Sequence, residues 1–169
     1  MNKKSVGLFG LIALSALIMV VLGYYHGQQA GKIDDEMLRI KTTQRSYEVS
    51  LTDIMTFDIV IFEATVRSSG NDPEVIEFGG VLLFDILVDL DIDLSGEETV
   101  IFKSLDGYQT RVSAQEVMQT DNVYVVYQRN QQKTLSRSEG GTGPLEVVIA
   151  LDPFSQRWNK YLVEIEIAP

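Results

Sequence analysis

The stretch FDIVIFEATVRSSGN, residues 57–71, contains the transition around which the chain is organised. Isoleucine, valine, phenylalanine and threonine dominate its first part, a composition that favours extended structure, so we predict a strand over Phe57–Arg67. The polar residues Ser68–Asn71 follow and include a glycine, which permits a tight turn. A short polar turn after a buried strand can direct backbone and small side chains toward a ligand. We therefore expect any binding site to lie here.

The remaining pattern alternates short strands with two or three short helices. Ser50–Asp53 and Ser113–Glu116 resemble capping boxes, in which a serine and an acidic residue three places later close the first turn of a helix. The apolar residues of Val81–Leu90 recur at helical spacing. Further strands are predicted at Thr99–Lys103, Tyr108–Val112, Val123–Arg129, Leu145–Leu151 and Tyr161–Ile167, the first two joined by a hairpin turn at Asp106-Gly107. The fold class is therefore α+β, with a mixed, largely antiparallel sheet.

Composition restricts the chemistry that the chain can perform. The 169 residues include no cysteine and one histidine, and the formal net charge is −10. The histidine is His26, which follows an apolar N-terminal block. Serine–histidine triads, cysteine nucleophiles and ordinary zinc sites are therefore excluded from the folded part. A chain this acidic also repels nucleic acid, so we expect no nucleic-acid partner.

The apolar block is Val6–Tyr25, which contains no charged residue. As a helix it would span roughly 30 Å, the thickness of the hydrocarbon core of a bilayer. Lysines precede it and acidic residues follow it, which predicts a single transmembrane helix with the rest of the chain outside the cytoplasm, as in a periplasmic domain. A cleaved signal peptide is the competing interpretation. We divide the chain into a membrane anchor at 1–26, a juxtamembrane spacer with loosely helical spacing at 27–46, and a folded domain at 47–169.

Several landmarks occur in an order that is typical of one family. They are a short helix at Leu51–Ile54, a strand and loop at Ala64–Asn71, an apolar segment at Phe78–Leu87, the hairpin Asp106-Gly107-Tyr108, a strand at Asp121–Tyr127, and closing segments at Gly143-Pro144-Leu145 and Arg157–Leu162. In this order they resemble the oxidoreductase molybdopterin-binding domain, the catalytic fold of sulfite oxidases and related periplasmic reductases. The resemblance covers the chain from about Tyr47 to Ile167 and implies a sulfite-oxidase-like fold.

The departures from that family bear on its chemistry. The resemblance implies a cysteine thiolate as the molybdenum ligand, and Ser68 stands at the matching position. A serine hydroxyl is a poor replacement for a soft thiolate. Glu146 stands where the family commonly has an arginine, and a carboxylate there is expected to repel a cofactor phosphate or an oxyanion. The histidine that many members use for the pterin is also missing. We therefore expect a degenerate member with no bound cofactor and no metal site.

The retained groove is expected to be lined by Ser68, Asn71, Asp106, Tyr108 and Arg157, although turn capping and surface charge explain each of these residues as well. No residue is assigned a catalytic role. The first hypothesis is a membrane-anchored extracytoplasmic module that binds a small molecule or a periplasmic or membrane protein partner. The alternative is a molybdopterin-dependent oxidoreductase in which a residue other than cysteine ligates the metal. A subunit that serves a membrane signalling partner is a third, weaker hypothesis.

Overall fold

The computed structural model describes residues 36–67, 72–96 and 98–169. Two predicted features lie outside these ranges, namely the apolar block Val6–Tyr25 and the turn residues Ser68–Asn71. Within the described ranges no helix has the length and apolar character needed to cross a membrane.

The first sheet has five strands in the spatial order β2-β1-β10-β5-β6. Its strands are β1 (Met37–Lys41), β2 (Ser46–Ser50), β5 (Thr99–Ser104), β6 (Gln109–Ser113) and β10 (Leu162–Ala168). Neighbouring strands are antiparallel except for β1 and β10, which run parallel with Arg39 opposite Glu164. The two ends of the described chain therefore meet inside one sheet.

The second sheet has the order β3-β4-β7-β8, and a further strand, β9, also pairs with β7. Its strands are β3 (Val60–Val66), β4 (Glu74–Leu82), β7 (Val123–Arg129), β8 (Gln132–Lys133) and β9 (Glu146–Ile149). All of the pairings in this sheet are antiparallel. Mixed, largely antiparallel sheets with few helices confirm the predicted α+β class.

In the described ranges, three short α-helices connect the strands. They are α1 (Leu51–Ile54), α2 (Leu83–Asp89) and α3 (Ala114–Met118). The serines that precede α1 and α3 form both predicted capping boxes: Ser50 Oγ accepts from the Asp53 amide at 3.1 Å, and Ser113 Oγ accepts from the Glu116 amide at 3.2 Å. Each box satisfies backbone donors that the first helical turn leaves free.

One hydrophobic core includes residues from both sheets. Strand β9 is buried along its whole length, and every residue of Val123–Tyr127 on β7 is buried as well. Strand β5 buries alternate residues, among them Val100 and Phe102, as expected for a sheet with one face toward the core. Phe78 on β4 stacks on Phe62 and meets Trp158 edge-on. The core therefore extends to the segment that follows β9.

The structure differs from the sequence predictions at two segments. Residues Met37–Lys41 were assigned to the spacer with helical spacing, but they form β1, because parallel pairing with β10 and antiparallel pairing with β2 satisfy their backbone groups. Helical structure was predicted from Val81, but β4 continues to Leu82. A Cβ atom added at Gly80 would lie 2.4 Å from the carbonyl oxygen of Val125 on β7. Glycine at this position therefore allows β4 and β7 to approach closely.

Candidate functional site

A cavity of about 360 Å³ opens beside the end of β3. Its walls come from five parts of the chain: the end of β3, the turn between β5 and β6, the end of β7, the start of β9, and residues 155–160. Strand β3 ends at Val66, and the sequence after it is polar. A pocket therefore lies next to the strand end where the sequence predicted a site, and we call it the β3 pocket.

A 3₁₀ turn at Ser155–Arg157 forms one wall of the pocket and is held by both sheets. Ser155 Oγ accepts from the Arg67 amide at 2.9 Å and donates to the Arg67 carbonyl at 2.8 Å. On the other side, the Tyr108 hydroxyl donates to the Gln156 carbonyl at 2.5 Å. Since each sheet contributes hydrogen bonds, the turn holds the end of β3 at a fixed place relative to the β5–β6 hairpin.

Arg157 fixes the same turn through its side chain. Its Nε atom donates to Asp152 at 2.9 Å, and its guanidinium forms a second ion pair with Glu116 at 2.8 Å. Hydrogen bonds to Asp152 and then to Glu116 raise the pKa of Arg157. Arg157 is predicted to contact a ligand; it is not part of the pocket lining, and the described contacts of its side chain are these two carboxylates. The geometry gives it a positioning role.

A buried ion pair forms the inner wall. Arg129, at the end of β7, donates from Nε and Nη2 to the two carboxylate oxygens of Glu146 at 2.9 and 2.8 Å. Thr142 Oγ1 donates to the same carboxylate, and the guanidinium of Arg129 lies 5.0 Å from the ring centroid of Phe78. Only 3% of the Glu146 side chain is exposed. The repulsion of anions predicted from Glu146 is therefore offset, because Arg129 compensates its charge at contact distance.

Two further cations lie at the mouth of the pocket. Arg67 and Lys160 are exposed, and in the described part of the chain neither side chain has an ion-pair partner. Asp106 is the exposed carboxylate of the lining, and its Oδ1 accepts from the Tyr108 amide at 3.0 Å. Three cations and two carboxylates thus line a pocket in a chain whose net charge is −10. The local sign of charge is opposite to that of the protein.

The predicted site residues have different outcomes. Asp106 and Tyr108 lie on the pocket wall, next to the strand end where we expected a site. Ser68 and Asn71 lie outside the described residues. As ligand contacts, all five residues remain predictions. Sequence reasoning did not assign Arg129, Trp158 and Lys160 to the pocket. The available signal was that basic residues follow a buried strand in an otherwise acidic chain.

A larger cavity of about 660 Å³ lies elsewhere, between the β1–β2 turn and the acidic segment after α2. Asp91, Asp93 and Glu98 line it, and hydrogen bonds from Ser95 lower the pKa of Glu98 to about 2. Among the residues that the structure describes, no group of three or more metal-ligating side chains is gathered here or anywhere else. The β3 pocket, with cations, a buried ion pair and an aromatic wall, remains the stronger candidate.

Comparison with known proteins agrees with the fold. The crystal structure of the sulfane dehydrogenase SoxCD from Paracoccus pantotrophus is similar, with a TM-score of 0.64 and 16% sequence identity. The similarity covers 82% of this chain and 39% of the SoxCD chain, so it concerns the shared fold of one part of that protein. No curated protein matches the sequence. Residues 26–169 match the family described as the oxidoreductase molybdopterin binding domain. This chain belongs to that family.

Proposed function

We propose that this chain is a membrane-anchored, extracytoplasmic member of its family that binds a small ligand or a protein partner in the β3 pocket and performs no redox catalysis. One observation carries the proposal. The pocket has fixed walls and two cations, Arg67 and Lys160, that have no ion-pair partner among the described residues, whereas the sequence supplies no thiolate and, beyond His26, no imidazole.

The residues present do not fit a molybdenum centre. The resemblance implies a soft thiolate ligand at the position of Ser68, where this sequence offers a hard hydroxyl oxygen. No thiolate ligand is available elsewhere, because the sequence contains no cysteine. The carboxylate of Glu146 in the pocket is engaged by Arg129 and Thr142. We therefore derive no reaction step through the metal.

The membrane anchor rests on the sequence of Val6–Tyr25. Its length, its lack of charge and the lysines before it support a single span with the folded domain outside the cytoplasm. Membrane fractionation followed by alkaline carbonate extraction tests this: the full chain should stay in the pellet. A second variant has Val6–Tyr25 replaced by an unrelated transmembrane helix. Capture of a partner that binds the folded domain should be unchanged in this variant, whereas capture of a partner that binds the anchor should be lost.

Metal and pterin analysis tests the absence of catalysis. The full chain, made in a host that synthesises the cofactor, should contain no stoichiometric molybdenum and show no pterin fluorescence. The variant Ser68→Cys should acquire molybdenum if the missing thiolate is the cause, and Ser69→Cys is the matched control that should not. Stoichiometric molybdenum in the unmodified chain would refute the proposal.

The alternative is a molybdopterin-dependent oxidoreductase with a ligand other than cysteine. Family membership favours it, and the cations Arg67 and Lys160 would suit the phosphate of the pterin cofactor. The same analysis separates the two functions. An enzyme with serine ligation would contain stoichiometric molybdenum in the unmodified chain and lose it in Ser68→Ala.

A further inference from the structure

We propose that the ligand of the β3 pocket is a small organic anion with one negative charge and a flat apolar body, such as an aryl carboxylate. This inference rests on the proposed binding function, since it names the ligand class of the same pocket. It is argued from three features of the pocket: its charge, its apolar wall and its volume.

The charge of the lining matches a single negative charge. Arg129 and Glu146 compensate each other in a bidentate pair. The charges that remain are those of Arg67, Lys160 and Asp106, which together leave one net positive charge at the mouth. Complementary charge favours a monoanion here. A dianion would be incompletely compensated and would be repelled by Asp106 as well.

Two aromatic side chains of the lining, Trp158 and Tyr108, suit an apolar body. Trp158 is buried, and its indole Nε1 donates to the Ile149 carbonyl at 3.1 Å, so this polar atom is satisfied within the protein. The Tyr108 hydroxyl is likewise occupied by the Gln156 carbonyl. What these side chains still offer a ligand is aromatic carbon surface. Aromatic walls of this kind stack with flat rings.

The volume sets the size of the ligand. About 360 Å³ lies near the lower end of the range for small-molecule pockets. A molecule with one or two rings fits this volume. The ligand therefore places its anionic group between Arg67 and Lys160 and its ring toward Trp158.

Trp158 also provides the measurement, because it is the only tryptophan of the chain. The full chain in dodecyl maltoside, a detergent without charge or aromatic rings, is titrated with benzoate while tryptophan fluorescence is recorded. Benzamide, which has the same shape and no charge, is the matched ligand. We expect saturable quenching by benzoate and about tenfold weaker binding of benzamide, the loss typical of a charge-assisted contact.

Variants locate the anionic group. Arg67→Gln and Lys160→Gln should each weaken benzoate binding by about tenfold. Their matched controls, Arg111→Gln and Lys133→Gln, change exposed cations outside the pocket lining and should leave the affinity unchanged. Asp106→Asn keeps an acceptor for the Tyr108 amide and removes a like charge, so it should tighten benzoate binding.

Three outcomes of the benzoate and benzamide titrations would overturn the inference. They are benzamide binding as tightly as benzoate, equal affinity in Arg67→Gln and Arg111→Gln, and the absence of any saturable response to benzoate. Inorganic phosphate that displaces benzoate at lower concentration than benzoate itself binds would identify a simple oxyanion site and would also overturn it. Each of these results is independent of the molybdenum content, so failure of the ligand class is distinguishable from failure of the proposed function.

Discussion

The buried pair of Arg129 and Glu146 allows a quantitative test of the pocket. Replacing Arg129 by methionine removes the charge partner of a carboxylate whose side chain is 3% exposed and leaves Thr142 as its remaining described donor. Breaking a buried ion pair on one side costs about 3–5 kcal/mol. Because 22% of the Arg129 side chain is exposed and the pocket can admit water, we expect the lower end, about 3 kcal/mol. Loss of the contact with Phe78 adds about 0.5 kcal/mol.

A double variant that also removes the charge of Glu146 should recover most of the stability lost in Arg129→Met. In Arg129→Met/Glu146→Met both charges are gone, and two apolar side chains of similar volume fill the site. Such replacements are often neutral, so we expect the double variant to be more stable than Arg129→Met by about 2 kcal/mol or more. Glu146→Met alone should cost about 1–2 kcal/mol, because Arg129 can still reach water through the pocket.

Urea unfolding followed by Trp158 fluorescence measures all three variants, with Arg111→Met as the exposed control. A loss of about 3 kcal/mol is a large fraction of the roughly 5–15 kcal/mol that stabilises an ordinary domain. The urea concentration at the midpoint of unfolding should therefore fall by a readily measured amount. If Arg129→Met cost less than about 1 kcal/mol, or if the double variant were no more stable than it, the carboxylate would not be buried and paired as described.

Three further predictions concern the elements around the pocket. Gly80→Ala should lower the melting temperature, because the new Cβ would lie 2.4 Å from the Val125 carbonyl oxygen and overpacking costs about 1–3 kcal/mol. Ser155→Ala removes both hydrogen bonds to the Arg67 backbone and should cost about 1–3 kcal/mol in urea unfolding. Burial opposes ionisation of Glu116, but hydrogen bonds from its arginine partner and a serine lower its pKa below the ordinary 4.5. The contribution of the ionised Glu116 to stability is therefore complete above pH 4.5 and is lost as the pH falls through the lowered pKa. The variant Glu116→Gln keeps the capping box and lacks this titration. On acidification it should therefore lose less stability than the parent chain.

Local signals in the sequence predicted the elements whose causes are local. The capping boxes before α1 and α3 depend on residues three places apart, and β7 depends on the β-branched run of Val123–Arg129. Strand β1 could not be predicted in this way, because its parallel partner β10 comes at the other end of the described chain. The apolar residues of β1 fit helical spacing equally well. Pairing with distant strands therefore determines the secondary structure of this segment, which the local sequence pattern did not determine.

The site shows the same division. Asp106 and Tyr108 follow from a recognisable hairpin turn, and both line the pocket. Arg157 is predicted to contact a ligand, and the sequence does not show that its guanidinium pairs with Asp152 and Glu116. Arg129 and Glu146 meet because β9 lies beside β7 in antiparallel register. Their pairing follows from strand order, which the pattern of either strand alone does not contain.

The parallel pair of β1 and β10 has a consequence for the order in which this protein folds. In the first sheet β10 lies between β1 and β5, so it links a pair of strands from the start of the described chain to a hairpin from its middle. A chain emerging from the ribosome or from a translocon would have β1–β2 and β5–β6 as separate hairpins until Leu162–Ala168 is released. Contacts of such wide sequence separation form late and slow folding. Completion of this sheet thus waits for β10, and a nascent chain stalled before Leu162 would present two unpaired strand edges, those of β1 and β5, to chaperones.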